Sequence, residues 1–204
     1  MFRGQENPSW LLSPTIHRKY LNCYPTLSEL EEHLKRFREA LISEVTNSQN
    51  DKLHINSQCE LNINELNQLD SETLWEIGQH YGLYTPLLDW SLNIKKALFF
   101  AYDPEQWRNS YKYRAFHVLN TQLDGEISNS ITIYVSKILN NLRMKNQEGK
   151  FTNLQVQKPF ESLLTDFKEN SFKYFRKIYI CLPRKELLRK FDSEGKIINF
   201  YILV

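Results

Sequence analysis

Glycine is scarce in this chain, at six in 204 residues. None of the six builds a GxGxxG turn or a glycine-rich phosphate loop, so the common backbone cradles for nucleotides are excluded. Scarce glycine also favours regular elements over long open loops. Cysteine is rarer still: Cys23, Cys59 and Cys181 lie far apart, and no two have the close spacing of a zinc ligand set. An odd count fits a reduced, cytoplasmic chain better than a disulfide framework, with each thiol a buried bystander. HExxH is absent, as is any clustered Asp/Glu/His set, so no metal and no metal-dependent nuclease or hydrolase is expected. No signal peptide and no apolar run of membrane length occurs, so no membrane partner is expected. The net charge of +2 does not imply nucleic acid. Lys95-Lys96 and Arg184 to Lys190 read as solvated helix faces.

What is present is a chain of ordinary domain size, 41% hydrophobic and 13% aromatic, enough for a substantial core. Thr26 and Glu29 form a capping box, and Leu27, Leu30, Leu34, Phe37, Leu41 and Val45 keep alternating spacings of three and four. This predicts a core-facing helix from Thr26 to Thr46. Asn47 to Leu69 is polar and Asn-rich, and reads as a mobile loop holding one short helix. Ser71 to His80 places Leu74, Ile77 and Tyr81 on one stripe, with Asp70 or Ser71 to cap it and Gly82 just past its end. Ile94, Ala97, Leu98 and Ala101 repeat that spacing between Asn93, the expected N-cap, and Pro104, the expected stop. The connector Leu83 to Leu92 thereby carries Asp89, Trp90 and Ser91 to the mouth of a helix N-terminus. Free N–H groups and the positive end of the helix dipole suit an anion there.

The rest turns towards strand. Phe2 to Gln5 reads as a short strand, and Trp10, Leu11, Leu12 and Pro14 as an extended segment crossing the core. Ala115 to Leu119 and Ile131 to Val135 are rich in β-branched and aromatic residues, with a turn at Asp124-Gly125. A helix is expected after Pro159, then strand Lys177 to Leu182, helix Arg184 to Phe191, a turn at Gly195 and strand Ile197 to Leu203. Early helices and late antiparallel strands give an α+β fold with a mixed, mainly antiparallel sheet.

Phe2-Arg3-Gly4-Gln5, Trp10 and Pro14, followed by Gln79, His80, Gly82, Thr85, Leu87, Leu88, Asp89, Trp90, Ser91 and Asn93, resemble the FRG domain family in order and spacing. Arg143, Gln147, Gly149 and Phe151 match a second pattern of that family, R-x-x-x-Q-x-G-x-F. The resemblance implies one FRG domain over residues 1–204. Because family members carry more chain before the Phe-Arg-Gly strand, it also implies a domain trimmed from a larger protein.

More distantly, the aromatic-Arg-Gly strand, a later Ser before an apolar helix and a late Gln-Glu resemble Arg-Ser-Glu ADP-ribosyltransferases. That resemblance implies NAD as a substrate and an ADP-ribosyltransferase-like fold. It assigns Arg3 to the phosphate and ribose, Ser91 to the nicotinamide ribose, and Gln147 or Glu148 to cleavage of the glycosidic bond. A carboxylate there steadies the positive charge that builds on the ribose. The class pairs Glu-x-Glu or Gln-x-Glu, whereas Gln147-Glu148-Gly149 sets its Glu one residue early.

Arg3, Ser91 and Glu148 are therefore the expected catalytic residues. Gln79, His80, Tyr81, Asp89, Trp90, Asn93 and Gln147 join Arg3 and Ser91 as expected ligand contacts. Several have a structural alternative: Arg3 paired with Asp89, His80 bonded to a carbonyl, Tyr81 and Trp90 in the core, Gln79 and Asn93 fixing turns. The reading is a nucleotide-like ligand pocket with NAD-dependent transfer to a protein or nucleic-acid acceptor, in bacterial defence or toxicity. The alternative reading is a non-catalytic interaction or sensing module.

Overall fold

The three-dimensional structure is a computed structural model. It describes residues 1–20, 24–48, 52–56, 59–102, 113–135, 149–154, 159–166, 171–181 and 202–203. The expectations for Pro104, Arg143, Gln147, Glu148 and the helix Arg184 to Phe191 concern residues outside that set.

In chain order the first elements are β1 (Phe2–Gln5), α1 (Thr15–Lys19), α2 (Leu27–Asn47), β2 (Leu53–Asn56), β3 (Cys59–Leu61) and α3 (Ile63–Gln68). Next come α4 (Ser71–His80), β4 (Leu87–Ser91), α5 (Ile94–Ala101), β5 (Arg114–Leu119) and α6 (Gly125–Ser130). The last are β6 (Ile131–Val135), β7 (Gly149–Leu154), α7 (Phe160–Asp166), α8 (Ser171–Tyr174), β8 (Phe175–Ile180) and β9 (Ile202–Leu203). Strands β1 and β4, β1 and β5, β2 and β3, β5 and β8, β6 and β7, and β8 and β9 pair antiparallel, so the fold is α+β with a mainly antiparallel sheet. Among the described residues no helix is long and apolar enough to cross a membrane.

The chain forms two compact units. One holds residues 1–12, 89–129 and 159–204, the other residues 13–88 and 130–158.

In the first unit β1 lies between β4 and β5, and β8 and β9 follow beyond β5. Phe2, Gly4, Phe116, Val118, Ile178 and Ile180 share the face that receives α5, through Ala97, Leu98, Ala101 and Tyr102. α5 starts where Asn93 caps it, its side chain accepting from the Lys95 N–H at 3.0 Å. On the opposite face a run of rings links Trp90 to Phe160 of α7, Phe160 to Phe175, and Phe175 to His117, at centroid separations of 6.0, 5.6 and 5.7 Å. Trp10 and Leu11 are exposed, while Leu12 and Pro14 of that expected core segment are buried.

In the second unit α2 carries the capping box read from the sequence, with Thr26 and Glu29 each bonded to the other's backbone N–H. Leu34, Leu41 and Val45 of α2 pack with Leu66, Leu74, Trp75, Ile77 and Leu87, and with Tyr134 and Phe151 of the β6–β7 hairpin. Phe37 is partly buried against them, while Leu27, in the first turn, is exposed. Asn47 to Leu69 departs from the expected loop: it contains the β2–β3 hairpin as well as α3. Leu53 and Leu66 from this stretch are buried in the core, and Asn62 with Glu65 forms a second capping box.

α4 ends in a Schellman arrangement. The Leu83 N–H reaches the Gly78 carbonyl at 2.8 Å, and Gly82 takes a positive φ of 81°. Tyr81, expected on the buried stripe, is exposed instead. It follows the last helical residue, where the 3.6-residue period no longer fixes its direction, and its hydroxyl donates to the His54 carbonyl at 2.8 Å. The expected connector Leu83 to Leu92 contains strand β4, four of whose five residues are buried.

Candidate functional site

The Phe-Arg-Gly strand gives each of its residues a separate task. Phe2 stacks on Phe116 at 5.7 Å beneath α5. Gly4 lies where α5 touches the sheet: a Cβ built there would overlap the Ala97 carbonyl oxygen and reach 2.8 Å from the Ala101 side chain. Arg3, one residue away on the alternation, donates from Nη1 to the Asp89 backbone carbonyl at 2.7 Å. The expected closeness of Arg3 and Asp89 is therefore present, and this bond runs through the peptide oxygen of β4.

Asp89, Trp90 and Ser91 belong to β4, with Trp90 and Ser91 buried and Asp89 half-buried. Ser91 pairs in register with Phe2, so it shares Phe2's face of the sheet, while Arg3 departs from the other. The Ser91 hydroxyl accepts from the Asn93 N–H at 3.0 Å, and Asn93 then caps α5. These two bonds turn the chain from strand into helix.

Register brings together a set of residues not foreseen from the sequence. Arg3 pairs with His117 and His117 with Lys177, so three basic side chains occupy one row across β1, β5 and β8. His117 is 0% exposed. Its pKa is lowered to about 3, first by burial and then by the nearby Lys177 and Arg3 charges. It is thus neutral at physiological pH. On the α5 face Arg114 lies over the Tyr102 ring at 5.7 Å, with a guanidinium nitrogen 4.0 Å from the buried Glu6 carboxylate. A histidine within an apolar strand was the available signal for His117. Its alignment with Arg3 and Lys177 depends on strand order.

In the second unit, Gln79 accepts from the Thr85 hydroxyl at 2.9 Å. The Thr85 N–H donates to Thr15 Oγ1 at 2.8 Å, and the Thr85 carbonyl accepts from the Ile16 N–H at 3.2 Å. The Gln79-to-Thr85 pattern here holds the end of α4 to the start of α1. His80 closes α4 and is exposed, as is Tyr81. Among the described residues, no three of His, Cys, Asp and Glu gather as a metal ligand set.

The family model for the FRG domain matches residues 1–110, and the chain belongs to that family. The match takes in the Phe-Arg-Gly strand and the stretch from Gln79 to Asn93, and it ends before the Arg143 to Phe151 pattern. No curated protein and no solved structure matches the chain.

Proposed function

We propose that this FRG domain binds a nucleotide-like anion on the Arg3 face of the first unit's sheet. The specific reading is NAD as ligand and ADP-ribosyl transfer as reaction. The observation that supports it is the Arg3–His117–Lys177 row. The row sets two permanent cations on one face two strand spacings apart, roughly 10 Å, with a neutral imidazole between them. A guanidinium fork and an ammonium at that separation suit the two ends of a pyrophosphate-bearing ligand. Phe175, half-buried on the same face, supplies apolar surface beside the charges, while Trp90 is buried against Phe160. The finer assignment of NAD rests on the resemblance of the Phe-Arg-Gly strand to the Arg-Ser-Glu transferases; Ser91 lies on the other face of the sheet and is not part of this site.

The test is incubation with NAD labelled in each half, reading nicotinamide release and transfer of label to protein or nucleic acid. Release by the wild-type chain, weakened in Arg3→Lys along with ADP-ribose binding, is the expected result. Binding of ADP-ribose without nicotinamide release would remove the transferase reading and keep the anion site. Absence of both would remove the whole proposal.

A further inference from the structure

The second unit contains a cavity that the anion-site reading does not use. It has a volume of about 600 Å³, inside the roughly 300–1,000 Å³ of ordinary small-ligand sites. It lies between the end of α1 and one face of α2, and Tyr20 and Tyr24 supply aromatic surface. Glu29, Glu32, His33 and Arg36 enter from α2 at the i, i+3, i+4 and i+7 spacing that gathers side chains on one helix face.

Its polar lining is dominated by acceptors. Glu29 uses Oε2 for the Thr26 N–H and hydroxyl, which leaves Oε1 without a bond among the described residues. Glu32 uses Oε1 for the Arg36 Nε–H at 2.8 Å, which leaves Oε2. Each carboxyl is held below its usual pKa, Glu29 first by the Thr26 backbone bond and Glu32 first by the Arg36 bond, so both are charged at neutral pH. His33 Nε2 meets the Tyr84 carbonyl at 3.1 Å, and a carbonyl only accepts. In the neutral ring Nε2 therefore carries the proton and Nδ1 is left as an acceptor. Two carboxylates against one guanidinium leave the lining acidic, which disfavours the phosphate expected in the first unit.

We infer that this cavity binds a planar organic cation, a guanidinium or amidinium group such as an arginine side chain. Tyrosine rings attract the face of such a cation, and its N–H fork matches carboxylate oxygens. The Arg36–Glu32 bond already displays that chemistry at one oxygen of the pair.

Calorimetric titration of the full chain with benzamidine, and with its neutral isostere benzamide, tests this. Saturable benzamidine binding is expected, with benzamide at least about tenfold weaker. Glu32→Gln and Tyr20→Ala, both at exposed positions, are each expected to weaken benzamidine about tenfold. No saturable binding, equal binding of the two probes, or unchanged affinity in both variants would each overturn the inference. None of these results bears on the anion site, whose residues and probe differ.

Discussion

Gly4 of β1 lies directly against the backbone of Ala97 in α5, with no room for a single added carbon between them. The obstruction is main-chain carbonyl and the Ala101 turn, neither of which can rotate aside. Gly4→Ala should therefore push α5 off the sheet and destabilise the chain by about 3 kcal/mol. In a chain of this size that lowers the melting temperature by roughly 6–12 °C. A loss in denaturant unfolding below about 1 kcal/mol would show that strand and helix separate easily.

The Thr85 hydroxyl is the second specific tie. Thr85 is fully buried, and its Oγ1 donates to Gln79 across the turn that ends α4. Thr85→Val keeps the shape and removes the donor, and is expected to cost about 1–3 kcal/mol. Urea unfolding followed by Trp fluorescence measures it. A neutral Val variant would mean the hydroxyl contributes nothing beyond its volume.

Two histidines should make stability depend on pH. Burial lowers the pKa of His17 to about 4, and burial with the Lys177 and Arg3 charges lowers His117 to about 3. The unfolded chain takes up protons at both below the ordinary value of 6.5, whereas the folded chain stays neutral there. Stability should thus be full above 6.5 and fall as pH drops towards those folded values, by roughly 1.4 kcal/mol per pH unit for each histidine. Denaturant unfolding between pH 7 and 5 gives the slope, and His117→Phe should remove about half of it. A flat profile in that window would mean that both rings are protonated as easily in the fold as outside it.

The helices were legible in the sequence because they are specified locally. Thr26 with Glu29, Asn93 before Ile94, and Gly82 after His80 are caps whose partners lie within four residues. Strand Ile131 to Val135 was legible for a similar reason, since alternation alone marks it. β4 was not. Leu87 to Ser91 is mostly buried and does not alternate, so its sequence resembles an apolar connector as much as a strand. The β2–β3 hairpin was missed because its strands are only four and three residues long, too short for the alternation of Leu53, Ile55, Cys59 and Leu61 to stand out from the polar residues around them. Within the candidate site, the closeness of Arg3 and Asp89 was legible, but the bond shown runs to the Asp89 peptide oxygen, which the charges of the two residues do not specify. His117 and Lys177 were not, because the register that aligns them with Arg3 links strands more than fifty residues apart in the chain.

The central claim is that Arg3 presents its guanidinium to an anionic nucleotide on that row. Calorimetric titration of the wild-type chain and of Arg3→Lys with ADP-ribose tests it most directly, with the melting temperature of each recorded beside it. The account predicts saturable binding to wild type and about tenfold or greater loss in Arg3→Lys, since the variant keeps the charge and loses the fork, with the variant still folded at the assay temperature. No binding to wild type, or equal affinity in the two proteins, would contradict it.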